Sequence, residues 1–221
     1  MLKERIDDFY RDKEESRKKR DYFYVSEADD CKRKIYFKMR GAPKEDLEPV
    51  VRRKFERGDQ IHRGLVSVLY SLGLATASEV ETPKDSLFHG RADAVVSING
   101  DNYVVEIKSH NPYSFRNLEE PKSSWYKQLQ LYLHYFDMEE GIILVECKGT
   151  QELKEFTVER DHDLVKEIFS EFQDLKEKVE KGVIPEKPDG DDWEYNKCNY
   201  CEYEEVCENT SGNLNKFTQS S

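Results

Sequence analysis

The chain has 221 residues, enough for one domain with a small appended module. Apolar and charged residues each make up 37%, so the core is modest and the surface heavily ionised. No run of eighteen apolar residues occurs and the start, MLKERIDDFY, is charged throughout. Neither a spanning helix nor export is therefore supported, no membrane partner is expected, and the cytoplasm is the expected compartment.

A net charge of −11 is unusual for a chain that handles nucleic acid, but the charge is unevenly placed. Residues 1–66 hold 19 Lys/Arg against 15 Asp/Glu, and the rest hold 16 against 31. Either a local basic face or a solvated, salt-bridged helix fits the mixed segment 3–21.

Residues 1–22 read as a charged helix or arm. Ser26 is a plausible N-cap for a helix containing Cys31, Ile35, Tyr36 and Met39, which Gly41-Ala42-Pro43 ends. Apolar residues recur at helical spacing over 46–73, with His62 inside and Gly73 as the stop. Residues 77–109 read as strands, and Asn99-Gly100 is a strong hairpin signal because both turn residues must accept positive φ. A polar stretch (110–123), a helix (about 123–137), two strands (143–147 and 155–159) and a helix (162–181) follow. Residues 182–197 read as a Pro/Asp/Gly linker, 198–207 as a cysteine-rich segment, and 208–221 as a disordered tail. The order predicts an α/β domain over 23–181 with a mixed central sheet flanked by helices.

A two-residue Asn99-Gly100 loop pairs residue i with residue 199−i, which sets Asp93 opposite Glu106. Their Cβ atoms then lie roughly 4.5–5.5 Å apart among apolar neighbours. Either a hard divalent cation, Mg²⁺ or Mn²⁺, sits between them, or Arg91 and Lys108 satisfy them as ordinary salt bridges. Lys108 stands two residues beyond Glu106, on the same strand face. Gln128 and Tyr132 lie one helical turn apart and share a face.

Five cysteines in a chain expected to be cytosolic argue against a disulfide framework. Cys198, Cys201 and Cys207 form a C-x₂-C-x₅-C group suited to a soft metal centre, and Cys31 can supply a fourth thiolate. Both a 4Fe-4S cluster and a Cys₄ zinc site fit four thiolates. Cys147, within a strand, reads as a core thiol.

GRADAVV followed thirteen residues later by EIK resembles the D…E-x-K core of the PD-(D/E)xK nuclease superfamily. QLQLY, with Gln128 and Tyr132, resembles the Q-x-x-x-Y motif of its RecB-like branch, and GDQIHRG supplies the matching His62. With the cysteine pattern, the chain most resembles the CRISPR-associated RecB-like exonucleases, the family of the fourth CRISPR-associated protein, across nearly its whole length. The resemblance implies a restriction-endonuclease-like core, plus an iron–sulfur module joining the N-terminal helix to the C-terminal segment.

It further implies Mg²⁺ or Mn²⁺ held by His62, Asp93, Glu106 and the Ile107 carbonyl, with Lys108, Gln128 and Tyr132 completing the catalytic set. Cys31, Cys198, Cys201 and Cys207 would hold a 4Fe-4S cluster. The implied activity is exonuclease action on single-stranded DNA, 5′ to 3′, in CRISPR spacer acquisition with integrase proteins, in a chain that could form a homo-oligomer. Three other readings stay open: a viral or mobile-element recombination nuclease of the same fold, a DNA-end-binding adaptor, and a redox or structural sensor. Trp125 and Tyr126 could stack on bases, although packing suits Trp125 better, and His110 and Arg116 lie near the expected mouth of the site.

Overall fold

The structure is a computed structural model that describes residues 1–12, 20–188, 198 and 200–210. The expected linker over 189–197, the tail beyond 210 and part of the N-terminal arm (13–19) lie outside the described residues. The chain divides into two compact units. One gathers the described residues of Met1–Asp21, Asp30–Arg53 and Phe169–Ser221; the other consists of Tyr22–Asp29 and Lys54–Ile168.

Seven α-helices and seven strands can be traced among the described residues: α1 (Leu2–Arg11), β1 (Phe23–Tyr24), α2 (Lys32–Met39), α3 (Pro49–Ser71), β2 (Ala75–Glu81), β3 (Phe88–His89), β4 (Arg91–Ile98), β5 (Asp101–His110), α4 (Pro112–Arg116), α5 (Ser123–Phe136), β6 (Glu140–Cys147), β7 (Leu153–Glu159), α6 (His162–Lys181) and α7 (Glu204–Asn209). A five-stranded sheet runs β2-β4-β5-β6-β7. All its neighbours are antiparallel except β5–β6. A parallel pair needs a crossover, which α4 and α5 supply, so the mixed sheet and its helical cover have one cause.

Asn99 (φ 55°) and Gly100 (φ 98°) both take positive φ, as a type I′ turn requires. The register is the expected one for five pairs, from Ile98↔Asp101 to Ala94↔Val105. Ala94, Val96, Val105 and Ile107 alternate onto one face, where Leu65, Val66 and Leu69 of α3 pack against them. Full burial of each such aliphatic side chain contributes about 1.5–3 kcal/mol. The opposite alternation carries Asp93, Glu106 and Lys108. Helix α5 buries Gln130 completely, and its amide clamps two backbone groups: it donates to the Glu159 carbonyl at 2.8 Å and accepts from Asp161 N–H at 2.7 Å.

Three local expectations differ. Ser26 caps no α-helix: it lies in a 3₁₀ turn (Val25–Glu27), and α2 starts at Lys32 with Cys31 at the N-cap position. The intervening Asp29 is buried and accepts from Ser123 and Lys127 of α5, which fixes this stretch to α5 rather than to a helix of its own. The stretch 110–123 contains α4, whose N-cap Asn111 accepts from Ser114 N–H at 2.9 Å and which has Pro112 at its first position. The strands β1 and β3, too short for a periodicity signal, pair in parallel as a separate two-stranded sheet.

Candidate functional site

The β4–β5 ladder stops at Ala94↔Val105, one step short of the expected Asp93–Glu106 pair. Asp93 takes over there with its side chain: Oδ2 accepts from Ile107 N–H at 2.7 Å. In an extended strand the N–H and C=O of one residue point to the same side, so the Ile107 carbonyl also faces the β4 side. Asp93 Oδ1 lies 3.3 Å from His62 Nδ1 on α3. Glu106 is only 2% exposed; its Oε1 lies 2.7 Å from Lys108 Nζ, and Lys108 Nζ also donates to Gln128 Oε1 at 2.9 Å. Tyr132 OH donates to the Arg91 carbonyl at 2.9 Å. The structure thus brings His62, Asp93, Glu106, Ile107, Lys108, Gln128 and Tyr132 into one contiguous group within a single unit.

The electrostatics follow from burial. Desolvation pushes the Glu106 carboxyl up to about 7, although Lys108 pulls the other way; the Asp93 charge adds to the rise. Burial pushes His62 down, but its hydrogen bond to Asp93 and the charges of Asp93 and Glu106 outweigh this and leave its pKa raised. Burial pushes the Tyr132 hydroxyl far up, so it stays a neutral donor.

Among the described residues no three His, Cys, Asp or Glu side chains converge as a finished ligand shell. Protein groups already engage the carboxylates: Asp93 is tied to Ile107 N–H and His62, and Glu106 to Lys108. One atom is left over, since the buried Glu106 Oε2 has no hydrogen-bond partner among the described residues. A buried carboxylate oxygen without a partner costs about 1–3 kcal/mol or more. Oxygen and imidazole donors of this kind suit a hard divalent cation.

The group opens into a cleft of about 510 Å³ lined by Tyr24, His62, Arg91, Asp93, Gln128 and Tyr132, among others. Gly90 is required beside it: a Cβ there would stand 2.7 Å from Val25 Cγ2 and 2.8 Å from the Tyr132 hydroxyl. The sequence reading missed Asp59, which also lines the cleft three residues before His62 and so on the same helix face. It also missed Tyr24, which no periodicity marks. His110 and Trp125 pack edge to face at 5.5 Å, a structural pairing, and Arg116 is exposed at the end of α4.

In the other unit, Cys31, Cys198, Cys201 and Cys207 line one cavity of about 390 Å³. Burial raises the Cys201 pKa, and the charges of Cys31 and Cys198 raise it further, so these sulfurs are electrostatic neighbours. Arg33 Nε donates to Cys207 Sγ at 3.1 Å, while its other nitrogens donate to the carbonyls of Pro185, Cys207 and Thr210. Cys147 is buried in β6, which belongs to the chain's other unit.

The profile of the PD-(D/E)XK nuclease superfamily matches residues 6–208. The fold is similar to that of the protein SSO0001 (TM-score 0.58, 23% identity, 93% of each chain covered). It is also similar to an alkaline exonuclease from Laribacter hongkongensis (TM-score 0.56, 14% identity, 75% of this chain and 91% of that one). A phage-related exonuclease from Haemophilus somnus gives a TM-score of 0.54 at 10% identity, over 73% of this chain and 95% of that one. No curated protein matches the chain. No helix among the described residues is long and apolar enough to cross a membrane.

Proposed function

The chain belongs to the PD-(D/E)XK nuclease superfamily, and on that premise we propose that it is a divalent-metal-dependent DNA exonuclease acting mainly on single strands. The observation that carries the reading is the partnerless, buried Glu106 Oε2 beside Asp93, a carboxylate pair that protein donors leave incompletely satisfied. Asp93, Glu106, His62 and the Ile107 carbonyl would hold Mg²⁺ or Mn²⁺. When bound, such an ion supplies Lewis-acid polarisation of a phosphate and lowers the pKa of water.

The chain's own groups do the rest. His62 and Ile107 N–H fix the Asp93 carboxylate from two sides, which sets its orientation before substrate arrives. Lys108, held between Glu106 and Gln128, presents an ammonium that can orient the attacking water and offset charge on a phosphate oxygen. Gln128 positions Lys108. Tyr132 holds the Arg91 backbone in place as a neutral donor, so its role is positioning.

The cysteines of the first unit would hold a 4Fe-4S cluster. Neighbouring thiolates repel one another, and a cationic centre relieves that repulsion. The likeness to CRISPR-associated exonucleases noted above supports 5′ to 3′ polarity and a role in spacer acquisition with integrase proteins. The relatives named as exonucleases support exonuclease action generally.

The test is hydrolysis of end-labelled single-stranded oligonucleotides with Mg²⁺ or Mn²⁺, with 5′ and 3′ labels compared. We expect Asp93→Ala and Glu106→Gln each to cut the rate at least 100-fold, about 3 kcal/mol of barrier. Wild-type protein that binds DNA ends yet cleaves none with either ion would make it an adaptor instead.

A further inference from the structure

One wall of the cleft is aromatic and takes no part in holding a cation or activating water. It is built on the two-stranded sheet, where Phe23 pairs with Phe88 and Tyr24 with His89. Alternation sends the two phenylalanines inward, both fully buried with ring centroids 6.0 Å apart. It turns Tyr24, 41% exposed, and His89 towards the cleft that His62 and Asp93 also line. Tyr22 lies flat on His89, at 3.8 Å and 7° between planes, and meets Tyr24 edge-on at 5.6 Å.

The backbone beneath is pinned at four amides. Phe23 N–H donates to the Leu87 carbonyl at 3.0 Å, and Tyr24 N–H to Glu27 Oε2 at 2.9 Å. Phe88 N–H donates to the Tyr135 hydroxyl and Gly90 N–H to the Thr82 hydroxyl, each at 3.1 Å. An exposed tyrosine on so fixed a support is preorganised surface, and it loses little conformational entropy when a flat group docks. Lys84 of the same cleft adds positive charge for a strand's phosphates, while Arg91 is paired with Glu79 at 3.1 Å.

We propose that Tyr24, backed by the Tyr22–His89 stack, is a platform for an unpaired base next to the scissile phosphate. Bases inside a duplex have both faces covered and must be unstacked to reach it, whereas a single strand offers its bases freely. The platform therefore selects single-stranded DNA. It deepens the nuclease reading and rests on the same cleft, but binding alone tests it.

The experiment uses the full chain with Ca²⁺ to hold the complex, and oligothymidylate carrying one 2-aminopurine at successive positions from the end. In wild type, emission should be quenched at one position, and Tyr24→Ala should abolish the quenching and weaken binding roughly tenfold. An abasic residue at that position should weaken wild-type binding similarly and leave Tyr24→Ala unaffected, the non-additivity that two partners in contact produce. Tyr24→Trp should restore both signals, which a collapsed fold would not permit. Losses that simply add, or no quenched position in wild type, overturn the platform. Quenching without any hydrolysis in Mg²⁺ or Mn²⁺ would overturn the nuclease reading and leave the platform standing; hydrolysis without quenching would do the reverse.

Discussion

Glu106 carries the sharpest consequence of burial. In metal-free protein its carboxyl is held up at about 7 against an ordinary 4.5, so the folded state keeps a proton that the unfolded chain gives up between those values. Its contribution to stability is fully present below pH 4.5 and is lost as pH rises through about 7. His62, whose pKa is raised above 6.5, acts in the same direction: its contribution is present below 6.5 and is lost as pH rises through its higher folded value. With a chelator present, denaturant midpoints should therefore fall from about pH 5 to about pH 8. Glu106→Gln should remove the lower part of that slope and exceed wild type by about 3 kcal/mol at the alkaline end. A midpoint that rises with pH would contradict the assignment. Gly90 makes a steric prediction nearby. Gly90→Ala pushes a methyl into Val25 and the Tyr132 hydroxyl, so it should cost about 1–3 kcal/mol in urea denaturation. Tyr132→Phe, which loses the bond to the Arg91 carbonyl and the hydrogen bond with the Gln128 side chain, should cost about 1–2 kcal/mol.

Elements built on local chemistry were legible in the sequence, and elements built on tertiary contacts were not. The Asn99-Gly100 turn set the β4–β5 register directly, because few residue pairs accept two positive φ angles in succession. The same arithmetic put Asp93 opposite Glu106, but the ladder ends before them because Asp93 bonds Ile107 N–H with its side chain, a choice no register rule contains. Ser26 looked like a cap, yet the buried Asp29 is engaged by Ser123 and Lys127, almost a hundred positions away in sequence. Helix α4 was missed for a related reason. Lys154 of β7 donates to the carbonyls of Phe115 and Leu118 at 2.8 Å each and lies 4.9 Å from the Phe115 ring. A five-residue helix cannot stand alone and leans on that distant lysine. Lys154→Met should cost about 1–3 kcal/mol and speed amide exchange over 112–118 while leaving the Asn99-Gly100 hairpin protected. Unchanged exchange over 112–118 would mean that the helix draws its support from elsewhere.

At the scale of the whole chain, the first unit assembles stretches that the sequence keeps far apart. Cys198 follows Cys31 by 167 residues, yet both line the cavity that Cys201 and Cys207 share. Arg33 reaches 152 to 177 positions along the chain with hydrogen bonds to Pro185, Cys207 and Thr210, and Lys44 pairs with Glu202 at 3.1 Å. These are single interactions of modest strength, whereas a centre that binds all four sulfurs closes the whole loop at once. Closing a loop this long by a covalent link removes about 4–5 kcal/mol of unfolded-state entropy, and metal–thiolate bonds act on the same term. Protein prepared without oxygen should then be brown and hold about four irons per chain, the count of a 4Fe-4S cluster. Cys31→Ser should bleach the visible absorption and lower the unfolding midpoint by several degrees. Arg33→Met should keep the iron at first but lose it faster to a chelator, because Cys207 loses the donor that holds its sulfur in the cavity. One zinc per colourless chain would assign the same four thiolates to a zinc site. Full stability of Cys31→Ser would mean that the Arg33 and Lys44 contacts hold the unit together without any bound centre.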